Sequence, residues 1–340
     1  MPAKKRTKPS IASVARAAGV SSAAVSLVLG GRGGDYRLSS DTSARIRRAA
    51  AAQRYVRPPR RRGPSRLHIV HLADLLSMDV RGLGGAVLYP LMDTLAGHGW
   101  LTSVDPRLPS DDLNAALLTA TAVVIPVNYG FDAAAHALAV AAITAGVQPV
   151  ILGRILPDIQ AIQVDGDQRS GGKFAAEHLL GLGHRHIAVV GGDANDAHTH
   201  ERLTGFTSAC AAKGVKPELW GHGNYRTDSA HRLVASRLAN GSRPTAVFCC
   251  NDRMAVGALL ALREAGLDVP RHVSLVGFDD QEEYTSIAPG LTTVRFESTN
   301  TGARIAALLE PKTPFRRTEM LLPARLVARG SSAPVTLEKP

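Results

Sequence analysis

The spacing of apolar positions changes period along this chain, and each change marks a boundary. From Ser10 to Leu29 they fall at Ile11, Val14, Ala15 and Ala18 and then, after Gly19, at Val20, Ala24, Val25, Val28 and Leu29. That spacing predicts two short amphipathic helices meeting at a tight turn, a helix-turn-helix. Ser10 is placed to cap the first helix, Gly19 to supply the turn, and Ser21 or Ser22 to cap the second. Gly30 to Ser40 holds four glycines and reads as a loop or wing. Asp41 to Gln53 reads as a third helix, capped by Ser39 or Ser40, with Ala44, Ile46, Ala49 and Ala50 inward and Arg45, Arg47 and Arg48 outward. Pro58 and Pro59 forbid continued helix and open a linker that ends near residue 66.

From Leu67 a different rhythm begins. Runs rich in Val, Ile and Leu predict strands at Leu67–Leu72, Leu101–Val104, Ala122–Val127, Val150–Leu152, Ile162–Val164, Ile187–Val190, Ala246–Cys250 and Val273–Val276. Helical stretches alternate with them: Gly84–Ala96, Asp132–Ala145, Ser170–Leu182, Glu201–Lys213, Asp228–Leu238 and Met254–Ala265. Alternation of this kind predicts parallel sheets with helices on both faces. The stretch is too long for one such sheet, so two lobes are expected, with ligand beyond the carboxyl ends of their strands.

Charge decides what the helical end is for. Residues 1–66 hold 16 Lys and Arg against only Asp35 and Asp41, a balance of +14, while the whole chain is +11. The rest therefore carries about −3, from 24 basic and 27 acidic residues. An Ala-rich helical hairpin has no need of this imbalance; a phosphate-binding surface does. Residues 1–9, with Lys4, Lys5, Arg6 and Lys8, read as a basic arm. Cys210, Cys249 and Cys250 have neither zinc-ligand spacing nor the makings of a disulfide framework, and read as buried thiols of a reducing, cytoplasmic compartment. No apolar run reaches the ~18 residues of a membrane span, and no signal peptide is apparent.

Several segments together resemble the lac-repressor (LacI/GalR-type) family of bacterial transcriptional regulators, over essentially the whole chain. They are S-V-A-R-A-A-G-V-S at Ser13–Ser21, A-A-E-H-L-L-G-L-G-H-R-H-I-A-V-V-G-G at Ala175–Gly192, E-R-L-T-G-F at Glu201–Phe206 and C-N-D-R-M-A-V-G-A-L at Cys250–Leu259. D-V-P-R-H-V-S-L-V-G-F-D-D at Asp268–Asp280 and P-G-L-T-T-V at Pro289–Val294 add to them. The resemblance implies an all-α helix-turn-helix DNA-binding domain followed by an α/β periplasmic-binding-protein-like domain of two doubly wound parallel-sheet lobes. The expected boundaries are a basic arm at 1–9, the DNA-binding domain at 10–57, a hinge at 58–66, the two lobes over 67–330 and a tail at 331–340. Lobe one is expected at about 67–161 plus 292–322, and lobe two at about 162–291 plus 323–330.

The implied partners are double-stranded DNA with a near-palindromic operator, a small-molecule effector of the sugar or related-metabolite class, and a second copy of the chain. No cofactor, metal or membrane is implied. The implied effector residues are Arg202, Tyr225, Asn251, Asp252 and Asp279, with Arg154, and with Asp79 and Arg81 in the first-lobe loop where family members often carry an aromatic pair. An Arg fork and a carboxylate give directional hydrogen bonds to hydroxyls, and an aromatic face covers a sugar ring. Asp252 and Asp279 equally suit helix capping. The implied DNA contacts are Ser10, Ser21, Ser22, Ala23, Ser26, Leu27 and Arg32. Ser22 and Ala23 stand at positions that usually read bases, and Leu27 where an Arg often sits. Short side chains make few bidentate base contacts, so phosphates are expected to supply more of the affinity. The linker departs from the family's Ala-rich hinge helix: Pro58 is followed by P-R-R-R-G-P-S, and the minor-groove wedge is either missing or replaced by Arg60, Arg61 and Arg62, implied DNA contacts that lie along a narrow minor groove by charge.

Competing readings are weaker. G-L-G-G-A-V at Gly82–Val87 lacks the third glycine of a dinucleotide fingerprint, so an enzyme is not expected. His184, His186, His198, His200 and Glu201 suggest a metal site only superficially, because the first two belong to a turn entering a strand and the next two to a polar loop. A cytoplasmic small-molecule-binding protein leaves the basic helices unexplained, whereas an effector-independent DNA-binding regulator stays open. The tail carries no heptad, which argues for a dimer rather than a tetramer built by a coiled coil.

Overall fold

The computed structural model describes residues 10–29, 39–53, 55, 65–70, 83–105, 117, 120–127, 130–281, 284, 287–309 and 317–335. Three helices come first: α1 (Ile11–Ala18), α2 (Ser22–Val28) and α3 (Ser40–Ala52). Ser10 opens α1 with a capping box, its hydroxyl accepting from the Ser13 amide while Ser13 returns a bond to the Ser10 amide. Gly19 closes α1 in the left-handed region at φ +63°, where a side chain would be strained. Ser21 caps α2 and Ser39 caps α3. Val14, Ala15, Ala18, Val25, Val28, Ile46 and Ala50 form a small shared core. Ala44 was expected inward but is exposed. The stripe of α3 is narrower than read, since the small core needs only Ile46 and Ala50 from it, with Ala49 packed at the side.

The remaining described elements are β1 (Arg66–Val70), α4 (Leu83–Gly97), β2 (Leu101–Asp105), β3 (Ala122–Pro126), α5 (Asp132–Ala145), β4 (Gln148–Leu152), β5 (Ile162–Gly166), α6 (Gln168–Gly181), β6 (Ile187–Gly191) and α7 (Ala197–Ala211). They continue with β7 (Glu218–His222), α8 (Thr227–Ala239), β8 (Ala246–Cys249), α9 (Asp252–Glu264), β9 (Ser274–Val276), β10 (Thr293–Phe296), α10 (Thr301–Leu308), β11 (Thr318–Leu322) and β12 (Ala324–Val327). One sheet runs β11-β5-β4-β3-β1-β2, a second runs β7-β6-β8-β9, and β10 pairs with β12 antiparallel. Every residue of β3, β5, β6 and β8 is buried, as expected of parallel strands covered on both faces.

The chain divides into two compact units, the second of which takes the described residues 83–90, Val164–Gly302 and the described residues from Met320 onward. Its core gathers Phe206, Phe248, Phe278 and Trp220 among many aliphatic side chains, with Phe206 and Phe248 stacked at 4.5 Å. Two glycines set the approach of α6 to α7. A Cβ on Gly172 would fall onto the Arg202 carbonyl, and one on Gly205 onto the Arg169 carbonyl. Gly257 of α9 meets the Thr227 carbonyl of α8 in the same way. The Gly205 of E-R-L-T-G-F thus has a packing reason.

Three expected boundaries differ. Residues 83–90, expected in lobe one, group with the second unit. Residues 292–302 belong to the second unit, because Gly277 donates to the Thr292 carbonyl at 2.9 Å, Asp279 to Val294 at 2.8 Å, and β10 pairs with β12. Ser331–Val335 is no separate tail. Leu275 donates to the Ser331 carbonyl at 2.7 Å, Ala333 to the Ser274 hydroxyl at 3.0 Å and Val335 to the Leu182 carbonyl at 2.9 Å. Buried His184 adds contacts of 3.0 Å to Thr245, Ser274 and the Ala333 carbonyl.

Candidate functional site

The axes of α1 and α2 differ by 100° across the Gly19 turn, inside the range of DNA-binding helix-turn-helix pairs. Ser21, Ser22 and Ala23 are exposed in the first turn of α2, while Ser26 and Leu27 are half-buried. Ser10 and Ser21 use their hydroxyls as caps. Arg16, Arg45, Arg47 and Arg48 are exposed on α1 and α3, and Arg45 makes a 3.8 Å surface pair with Asp41. Arg32, Arg60, Arg61, Arg62, Asp79 and Arg81 lie outside the described residues.

A denser constellation sits in the second unit at the carboxyl ends of its strands. In the β7-β6-β8-β9 sheet the chain starts at β6, moves out to β7 and returns to β8, so the strand order reverses beside β6. The loops that follow β6, β8 and β9 bring together most of the second-unit residues singled out above. Arg202, 6% exposed, extends its guanidinium among them. Its Nε donates to Gln168 Oε1 at 2.8 Å, its Nη1 to the Cys250 carbonyl, and its Nη2 lies 3.0 Å from Asp279 Oδ1. The Phe278 ring covers one face of it at 3.8 Å. Burial alone would lower the Arg202 pKa, but Asp279, with Tyr225, Cys250 and Asp196 adding to it, together outweighs burial and holds the charge on.

Tyr225 is locked beside it. Its hydroxyl donates to Asp196 Oδ2 and lies 2.7 Å from Thr199 Oγ1. Burial raises its pKa, keeping it a neutral phenol. A Cβ on Gly192 would collide with the ring, so this glycine gives the aromatic its seat. Asn251 caps α9 by accepting from the Met254 amide at 2.9 Å. Asp252 is 1% exposed and accepts from the Gln281 amide at 2.9 Å and the Thr293 hydroxyl at 2.6 Å. Burial and the neighbouring Asp279 raise its pKa well above the ordinary carboxylate value. Both residues therefore have structural bonds to satisfy, whereas Asp279 keeps some exposure at 21% of its side chain. Arg154 belongs to the first unit, where it is buried and 3.1 Å from Asp132.

Residues that pattern reading missed complete the cluster. Asp165, at the end of β5, accepts from the Gly166 amide at 2.7 Å and from Gln168 at 3.2 Å, and its Oδ2 stands 2.8 Å from His198 Nε2. His198 and His200 lie in the first turns of α7, which starts at Ala197, not in a polar loop. Among the described residues no group of three or more His, Cys, Asp and Glu side chains is placed to hold a metal ion. The cysteine thiols are buried and unpaired with one another, and burial pushes Cys210 up to about 11 and Cys250 up to about 12.

The Asp165 contacts carry a pH dependence. Burial raises its pKa, but His198 and the Gly166 and Gln168 bonds together bring it below the ordinary value. The unfolded chain therefore takes up this proton first. The stabilisation is complete above ~4 and is lost as pH falls through the lower folded pKa. Urea unfolding of wild type and Asp165→Asn should differ most near neutral pH and converge in acid; a constant gap would remove Asp165 as the cause.

Comparison with known proteins decides the family. Residues 176–332 match the model of a periplasmic binding protein-like domain. The chain is 29% identical to the HTH-type transcriptional regulator MalR of Streptomyces coelicolor, over 95% of this chain and 96% of the relative. It is 30% identical to the uncharacterized HTH-type transcriptional regulator in the aml 5' region of Streptomyces limosus, over 96% of this chain and 95% of that one. The chain belongs to the LacI/GalR family. Among solved structures, the complex of the transcriptional regulator CelR with cellobiose is similar at 25% identity and a TM-score of 0.67, covering 95% of this chain and all 100% of the other. The lac repressor dimer bound to operator and the anti-inducer ONPF shares the fold at 22% identity and a TM-score of 0.64, over 96% and 100% of the two chains. These LacI-family relatives are transcription regulators and not enzymes.

Proposed function

We propose that this LacI-family chain is a cytoplasmic homodimeric repressor that binds near-palindromic double-stranded DNA through α2. We further propose that its affinity changes when a sugar or related polar metabolite engages Arg202 and Asp279. One observation carries the reading: a helix pair crossing at 100°, flanked by the exposed Arg side chains of α3, shares a chain with an Arg–carboxylate pair at the switch point of a parallel sheet. The similar CelR structure holds cellobiose, and another LacI-family structure holds ribose, so the fold is compatible with ligands of this class. Ser22 and Ala23 suit contact with thymine methyls and backbone, and the exposed Arg side chains of α1 and α3 suit phosphates. Asp196, Thr199 and His198 ring the same end of the second unit with polar groups that match hydroxyls.

Mobility shift of the protein on its own promoter region, repeated at rising salt, tests the DNA half. A specific shift is expected at low salt, with affinity falling by ~10³ or more between 50 and 200 mM if several phosphates are contacted. Absence of any specific shift at low salt would overturn the reading.

A further inference from the structure

An open groove of about 740 Å³ runs along the outer side of α6 and α7 in the second unit, within the size range of small-molecule sites. Four cations line it, Arg169, Lys173, Arg185 and Lys213, against a single carboxylate, Glu177. This local excess stands out because residues 67–340 are slightly acidic overall, with 24 basic and 27 acidic side chains. Buried Leu180 and half-buried Ala209 give the groove an apolar lining.

The cations are poised rather than neutralised. Arg185 Nη1 donates to the carbonyls of Leu180 at 3.2 Å and His184 at 2.9 Å, which holds its guanidinium in place. Among the described residues, no carboxylate pairs with Arg185 or Lys213. Lys173 lies 3.7 Å from Glu177 and Arg169 4.0 Å from Glu201, both pairs more than half exposed and so weak and easily exchanged. Gly172 and Gly205 hold α6 and α7 at backbone contact, which fixes the spacing of the two helices under the groove. A preformed groove spares the ligand the cost of ordering it.

We propose that this groove is a second ligand site, for an amphipathic organic anion. Its apolar or aromatic body rests on Leu180 and Ala209, and its phosphate or carboxylate is held by Arg185 and Lys213. The same two helices carry Gln168 and Arg202, bonded to each other at 2.8 Å, so an occupant would act on the helices that hold the Arg202 guanidinium. The proposal is independent of the effector reading.

1-Naphthyl phosphate serves as the probe, titrated into the full chain and followed by ligand fluorescence. One saturable site per chain is expected. 1-Naphthol, which lacks the charge, and inorganic phosphate, which lacks the body, should each bind about tenfold more weakly or worse. Arg185→Glu with Lys213→Glu should weaken the probe by about tenfold or more, while Arg47→Glu with Arg48→Glu on α3 should leave it unchanged. Because Arg185 also bonds backbone carbonyls, Lys213→Glu alone is the second variant; it should weaken binding at an unaltered unfolding midpoint. No saturable binding, binding lost in the α3 variant, or binding indifferent to both groove variants would overturn the proposal.

Discussion

Replacing Arg202 by alanine is expected to lower the unfolding free energy by about 3–5 kcal/mol, the range seen when one partner of a buried ion pair is removed. The truncation leaves Asp279 without its 3.0 Å partner and strands Gln168 Oε1 and the Cys250 carbonyl, the last two in surroundings where water does not easily replace the lost donors. It also takes the cation from the Phe278 face. Urea unfolding of the full chain measures the loss. The double variant Arg202→Met with Asp279→Asn should recover part of it, since it removes the charges together. That folded double variant is the better reagent for ligand response. A screen of sugars and nucleosides by thermal shift should find compounds that stabilise the wild type and not the double variant. A compound stabilising both equally would show that Arg202 and Asp279 take no part in holding it.

The second large effect comes from adding one methyl group. Gly205→Ala should destabilise the protein by about 1–3 kcal/mol or more, as overpacking at a rigid contact does. The new Cβ would overlap the Arg169 carbonyl and crowd the Lys173 amide at 3.0 Å, and neither backbone group can swing away as a side-chain tip can. Gly181→Ala, in the last position of α6, meets nothing within 4 Å and should leave stability unchanged or slightly higher. Thermal unfolding of the two single variants makes the comparison. Equal midpoints would mean that α6 and α7 part easily at Gly205.

The strands that position the Arg202 cluster were legible because parallel strands buried on both faces announce themselves as unbroken apolar runs. I-A-V-V of β6 and A-V-F-C of β8 are of this kind. β7 escaped notice because it is an edge strand, E-L-W-G-H, with only Trp220 fully buried. The start of α7 was hidden for another reason: A-H-T-H carries polar groups that look like a loop until Asp165 and Tyr225, far apart in sequence, are seen to need His198 and Thr199. Arg202, Tyr225 and Asp279 were found through family resemblance, not periodicity. Their mutual geometry, and the service of Asn251 and Asp252 to the α9 terminus and its surroundings, depend on contacts no local pattern encodes. The glycines at 172 and 205 sat in plain view, but a helix interior gives no sign of which glycine touches another helix.

The stitching of Ser331–Val335 to Ser274, Leu275, His184 and Leu182 has a consequence for biosynthesis. A nascent chain that has delivered β6 to β9 still has the Leu275 amide and the Ser274 hydroxyl waiting for groups from residues 331–333. It also lacks β12, the partner of β10. A stalled or prematurely ended polypeptide would therefore display an unfinished sheet edge, the kind of surface that recruits chaperones or aggregates. Although Arg202 and its helix α7 are translated long before, the second unit is sealed only when these late residues emerge from the ribosome.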